Sequence, residues 1–375
     1  MENPVTFGVE EEFLLVDAES CRLAPVARQV IAALPTTLRP CVRMETRATQ
    51  IELATQVCTG LDELREGLGE LRSALDAAAQ SVGCRIMAAG ACILKEDETF
   101  PVADGLRYGE IVRSFGLLED PRGLSACHVH VGVPDRRLAA EALNHLRVWL
   151  PVLQSLCSNS PFINGHDSGY ASSRAMTICA WPTVGPTPDI RSLAHHDELV
   201  ADLIATGAAL DDRMVYWYAR LSASYPTIEV RPGDVCLTVD ETVLLAALSR
   251  ALVATAVRDV RVGVAAPCAD HGSLVAAHWL AARDGLEGSG FCFTDRVRVP
   301  IWHLVDRLVK HTEQALVAAG DYTLVLAALD RLRVTGSAAA RQRSIAAAPS
   351  TCAATSGAMA NLPRLAHWVV EQTCL

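Results

Sequence analysis

The chain has no GxxxxGK[ST] phosphate loop and no GxGxxG turn, which sets aside the P-loop and dinucleotide folds. It has no CxxC pair. Its thirteen cysteines are odd in number and show no framework spacing, the pattern of reduced, buried thiols rather than of disulfides or a zinc finger. No basic run with interleaved aromatics occurs, and the formal net charge is −10, so a nucleic-acid partner is not expected. No apolar run is long enough for a bilayer, because Val243 to Val257 is interrupted by Arg250 and closed by Arg258 and Asp259. The opening MENPVTFGVEEE has neither a basic nor an apolar signal region, so a cytoplasmic protein without membrane contact is expected. Internal repeats and Pro-rich linkers are also missing. These absences leave a globular protein with a small-molecule partner.

What is present is a large apolar fraction, 50% of 375 residues, enough for a sizeable core. Strand-like runs at Thr6 to Val16, Gln50 to Val57, Arg85 to Ala89, Ala126 to Val133 and Thr227 to Arg231 alternate with helical periodicity at Leu61 to Val82 and Leu138 to Leu156. Pro151 is expected to kink the second helix. From Val239 onward the pattern is almost entirely helical, broken near Gly263, Gly285, Gly320 and Gly336. Ala346 to Gly357 reads as a small-residue loop before a terminal helix. One α+β domain over 1–375 is expected, with a sheet-containing part at 1–238 and a helical flank at 239–375.

Alternation along the strands carries the chemistry. In FGVEEEFLL, Glu10 and Glu12 fall on one face and Phe7, Val9, Phe13 and Leu15 on the other, leaving Glu11 among the apolar side chains. Glu11 is expected to pair with a basic group or to reach solvent at the sheet margin. His128 and His130 in ACHVHVGV, Glu229 and Arg231 in TIEVRP, and Glu52 in QIELATQV repeat the arrangement. A sheet of such strands has a core side and an ion-binding side. Acids outnumber histidines and no thiol joins them, so Mg2+ or Mn2+ fits better than zinc. The segment Asn159 to Arg174, small and polar with Tyr170 and Arg174, suits a carboxylate or amine site.

GVEEEF, ETRATQIELAT, CHVHVGVPD, NSPFINGHDSGYASSR, PTIEVRPGDVC and GSAAARQR, in this order, resemble the carboxylate–amine ligase branch of the type 2 glutamate–cysteine ligase family. That family is related to glutamine synthetase. The resemblance implies an open, mostly antiparallel sheet forming a funnel, with helices on its outer face and metal ions inside holding the phosphates of ATP. It implies metal ligands at Glu10, Glu12, Glu45, Glu52, His128 and Glu229, with Arg231 against the transferred phosphoryl group. It further points to Arg231, Arg341 and Arg343 for the nucleotide and to His130, Asn159, Tyr170, Ser172 and Arg174 for the organic substrates. The implied reaction joins a carboxylate, glutamate-like, to an amine through an acyl phosphate, releasing ADP and phosphate; a homodimer is compatible with it.

The chain departs from the family's usual pattern at MAAGACIL (Met87 to Leu94), at AAHWLAARDGLEG (Ala276 to Gly288) and at Pro232 and Gly233. Cys92, Ile93, His278 and Leu280 are therefore expected to alter the choice of substrates. A competing reading is a metal-dependent hydrolase or amidase using His128, His130 and Glu229 with an activated water. A binding protein that kept the fold and lost catalysis would not need every acid in place.

Overall fold

The computed structural model describes residues 5–96, 100, 106–118, 123–348 and 361–375. The strands, in chain order, are β1 (Phe7–Asp17), β2 (Val42–Met44), β3 (Gln50–Ala54), β4 (Cys84–Met87), β5 (Ala126–Gly132), β6 (Phe162–Ile163), β7 (His166–Asp167), β8 (Ala219–Leu221), β9 (Thr227–Asp234), β10 (Ser289–Cys292) and β11 (Val297–Pro300). Among the described residues seven of them form one open sheet in the order β2-β3-β1-β5-β9-β8, with β4 pairing the far end of β1. Every pairing is antiparallel. The sheet expected from the alternation is therefore present, and β2 and β8, too short to show a period, complete it.

One face of this sheet is the core. Phe7, Val9, Phe13 and Leu15 of β1 join Val129 and Val131 of β5 and Ile228 and Val230 of β9 in a single buried cluster. Helix Leu61–Gln80 covers this face with Leu64, Leu68, Leu71 and Leu75 at helical spacing, and Glu63 reaches back to accept from Thr59 N at 2.9 Å at its start. Helix Val239–Arg261 lies against β1 and β5 and is buried through most of its length. Its Thr238 cap accepts from Glu241 N at 3.4 Å.

The stretch Leu138 to Leu156 is two helices, Arg136–Leu146 and Leu150–Leu156. Pro151 stands in the first turn of the second helix, where its missing N–H costs nothing, so the chain breaks before it instead of kinking at it. The C-terminal half is not purely helical, since β10 and β11 make a hairpin inside it. Residues 349–357 of the expected small-residue loop lie outside the described residues. Among those described, no helix is long and apolar enough to cross a membrane.

Glu11 does not reach the sheet margin. It and Arg72 are both fully buried. Arg72 Nε donates to Glu11 Oε2 at 2.9 Å, and Thr242 Oγ1 donates to Glu11 Oε1 at 2.6 Å. Arg72 Nη2 donates to Glu11 Oε1 at 2.5 Å, and the guanidinium also donates to the carbonyls of Thr373, Leu237 and Cys236 at 2.7, 3.3 and 3.1 Å. One ion pair thus ties β1 to two helices and to the end of the described chain. Removing one partner of such a pair strands a buried charge, so Glu11→Gln is expected to lower stability by about 3–5 kcal/mol. Chemical denaturation measures this; a loss of about 1 kcal/mol or less would show the pair to be replaceable by its carbonyl neighbours.

Candidate active site

The opposite face of the sheet forms the floor of a cleft of about 620 Å3. Register decides which acids meet. Glu10 stands opposite His128, and Glu12 stands opposite Glu52. The β5–β9 pairing shifts between Cys127 and Val129, so β9 carries an extra residue where Arg231 and Pro232 sit. Proline is tolerated in such a bulge, and the bulge re-aims the neighbouring side chain. Arg231 N is held by Tyr218 O at 2.8 Å, and its guanidinium lies 5.7 Å from the Tyr216 ring centre.

Two groups of ligand atoms result. Glu10, His128 and Glu229 form one, and Glu12, Glu45 and Glu52 form the other, each with its atoms within 4.8 Å of one another. Their electrostatics differ. Burial would raise the Glu10 carboxyl, but His128 and His130 outweigh it and hold Glu10 well below the usual carboxylate range. Glu10 Oε2 lies 3.6 Å from His128 Nδ1 and 3.4 Å from His130 Nε2. Glu229 is likewise kept ionised against burial by Arg231 and Arg220. Arg220 Nε and Nη2 donate to it at 2.8 and 3.2 Å, and Arg231 donates as well. Burial pushes His128 down to about 4, so it is neutral near pH 7, as an imidazole ligand must be.

The second group is short of positive charge. Burial, then the Glu12 charge, pushes Glu45 up to about 7. Burial, then Glu45, raises Glu52 well above its ordinary value. Burial also raises Glu12, although Arg174 opposes this and Ala126 N donates to it at 2.8 Å. Like charges placed directly opposite on paired strands are destabilising. Oxygen-rich, crowded and partly deprived of counter-charge, this set suits a hard divalent cation, and the first set with its neutral imidazole suits another.

The structure thus brings Glu10, Glu12, Glu45, Glu52, His128, His130, Arg174, Glu229 and Arg231 to one cleft. The other expected site residues hold the scaffold. Asn159 Nδ2 donates to Ala88 O and Val235 O at 2.8 and 2.9 Å. Ser172 Oγ donates to buried Asp234 at 2.8 Å and caps the following helix by accepting from Ala175 N. Tyr170 OH accepts from Trp279 Nε1 at 3.3 Å. Arg341 is paired with Glu241, and Arg343 with Asp167. None of these five lines the cleft. Their polar and charged character satisfies local partners, which a one-dimensional pattern cannot separate from ligand contacts.

The same holds for the altered positions. Cys92 and Ile93 belong to a second apolar core, and His278 is buried with its ring against Gln154. Neither they nor Leu280 line the cleft. The cleft residues not anticipated include Arg43, Tyr108, Trp181, Arg213, Tyr216 and Arg220. The one available signal was the alternation Tyr216, Tyr218, Arg220 running into the three-residue β8.

Comparison with known proteins follows this geometry. Residues 6–352 match the family described as glutamate-cysteine ligase family 2. A Salinispora tropica protein with the provisional name glutamate–cysteine ligase 2 is 48% identical over 341 residues, covering 91% of this chain and 90% of that one. A Saccharopolyspora erythraea relative with the provisional name glutamate–cysteine ligase 2-2 is 42% identical over 348 residues, covering 92% and 89%. Among solved structures, the glutamate–cysteine ligase of Francisella tularensis in complex with AMP shares the fold at a TM-score of 0.71 and 14% identity, covering 99% of this chain and 89% of that one. The bifunctional glutathione synthetase of Pasteurella multocida does so at 0.70 and 14%, covering 99% and 52%.

Family membership defines an ATP-dependent carboxylate–amine ligase, a class that uses a divalent metal. The chain belongs to glutamate-cysteine ligase family 2.

A cation held by these raised carboxyls would be bound in a pH-dependent way. Glu45 in the folded protein keeps a proton that the unfolded chain loses above its ordinary value of 4.5, so its contribution to cation-free stability falls as pH rises through about 7. A cation needs the ionised form. Mg2+ affinity is therefore expected to rise from pH 6 to pH 8 with proton release. Titration calorimetry in two buffers of different ionisation heat tests this; pH-independent affinity without proton release would contradict it.

Proposed function

We propose that the protein activates a carboxylate with ATP as an acyl phosphate and passes the acyl group to an amine. The carrying observation is the pair of ligand sets on adjacent strands of one cleft, with Arg231 donating to Glu229 of the first set and feeling the charge of Glu12 in the second. Glu10, His128 and Glu229 would hold one divalent cation and Glu12, Glu45 and Glu52 another, with Mg2+ the ion that this oxygen-rich donor chemistry favours. Bound there, such cations would neutralise phosphate charge and withdraw electrons from the phosphorus.

The protein's own part is positioning and charge. Arg231, fixed by Glu229 and Tyr218 O, presents a guanidinium to the phosphoryl group in transfer. Arg220 keeps Glu229 ionised and oriented. Arg174, buried and beside Glu12, is placed for a substrate carboxylate. The carboxylate oxygen attacks the terminal phosphorus and ADP leaves. The amine nitrogen then attacks the acyl carbon, the carbon–oxygen bond to phosphate breaks, and the nitrogen gives up its extra proton, leaving an amide. The names of the relatives suggest glutamate as the acid.

Incubation with ATP, Mg2+ and pooled acids and amines, with mass spectrometry of products, is expected to show an amide formed in step with ADP. ATP-independent hydrolysis of amides would favour the hydrolase reading instead. Glu12→Gln keeps shape and hydrogen bonding but removes a ligand charge, so the ligation rate is expected to fall by about a hundredfold or more with the melting temperature retained. Undiminished ADP formation by this variant would remove Glu12 from the site.

A further inference from the structure

The two flanks of the cleft are lined differently. Around Glu10 the lining is cationic and polar, with Arg43, Arg220 and His130. Tyr225, 48% exposed, stands edge-on to His130 there at 5.7 Å between ring centres. The flank nearer Glu45 and Arg231 is aromatic, with Arg107 and Arg231 acting on its Tyr216. Trp181 packs on Phe115 at 5.0 Å between ring centres and meets Tyr216 edge-on at 5.9 Å. Beneath them Ile111 and Met214 are buried in a small apolar cluster of their own, apart from the main core. Ile178 extends the same wall.

An apolar wall inside a charged cleft has no role in holding phosphates, and left facing water it gains nothing. The terminal phosphate belongs beside Arg231, between the two flanks, and the exposed tyrosine at the Glu10 flank offers a face to a base. The Trp181 wall is therefore left to an organic substrate. Tyr216 connects it to the chemistry, because the Arg231 guanidinium lies 5.7 Å from its ring centre. A group resting on Tyr216 and Trp181 is within one side chain's reach of the carboxyl being activated, where the attacking amine must stand. A thiol-sized side chain would leave Trp181 and Ile178 wet; an aromatic or branched one would cover them.

Resting on the ligase reading above, we propose that the amine substrate carries an aromatic or branched apolar side chain seated against Trp181 and Ile178, in place of the small thiol side chain of cysteine. The probes are two amine pools, each given with ATP, Mg2+ and pooled acids that include glutamate. One pool holds phenylalanine, tyrosine, tryptophan, leucine and phenethylamine, and the other cysteine, alanine, glycine and ammonia. The apolar pool is expected to be used about tenfold or more faster, and Trp181→Ala to lose about tenfold or more in kcat/KM for the amine found. KM for ATP is expected to stay within about twofold, and Trp181→Phe to recover most of the loss. Preference for cysteine or another small amine overturns the proposal, as does a Trp181→Ala variant whose defect lies in KM for ATP, which would place the nucleobase on this wall. No ADP release with either pool overturns the ligase reading itself and the proposal with it.

Discussion

Three consecutive carboxylates in one strand can fold only if each face of the sheet deals with its own charge. On the lower face a single carboxylate, Glu11, is answered by a single guanidinium, Arg72, with no solvent access to either. On the upper face Glu10 is answered by two histidines, whereas Glu12 meets another carboxylate, Glu52. The lower pair pins the register of β1, and a slip of one residue would exchange the two faces. Everything in the cleft depends on that registration.

The upper face is therefore unequal along its length. The set built on Glu10, His128 and Glu229 already contains the counter-charges of Arg220 and Arg231. Its carboxylates are held by the protein's own donors. The set built on Glu12, Glu45 and Glu52 is organised by backbone pairing but not by charge; burial and the Glu12 charge leave Glu45 partly protonated near neutrality, and burial with Glu45 raises Glu52 well above its ordinary value. The first set resembles a prepared socket and the second a site whose charge state changes with its occupant. Arg231 sits where both fields act on it, and the aromatic wall reaches its guanidinium through Tyr216.

The sheet, its core face and seven of the nine acids, histidines and arginines of the cleft were legible in the sequence because a strand's period of two separates faces without any tertiary information; Glu45 came from the family resemblance alone, and Arg174 from the polar segment that ends on it. Other features were not. Arg72 lies in a helix whose periodicity marks a buried face, yet an arginine on that face cannot be assigned to Glu11, 61 residues away in the chain. The break before Pro151 was placed too late by treating proline as a kink and not as a first-turn residue. The segment Asn159 to Arg174 mixes one cleft residue, Arg174, with side chains that satisfy Asp234 and neighbouring carbonyls; composition alone does not divide them. Trp181 comes from a loop with no period, so only the folded chain shows that it meets Tyr216.

The central claim is that this cleft activates a carboxylate by transferring a phosphoryl group to it. The direct measurement supplies the acid with 18O in both carboxylate oxygens and follows the label into inorganic phosphate by mass spectrometry during amide formation. The account predicts one 18O atom in each phosphate released. Phosphate free of label while amide accumulates, with one labelled oxygen in the amide carbonyl and the other in water or AMP, would contradict it.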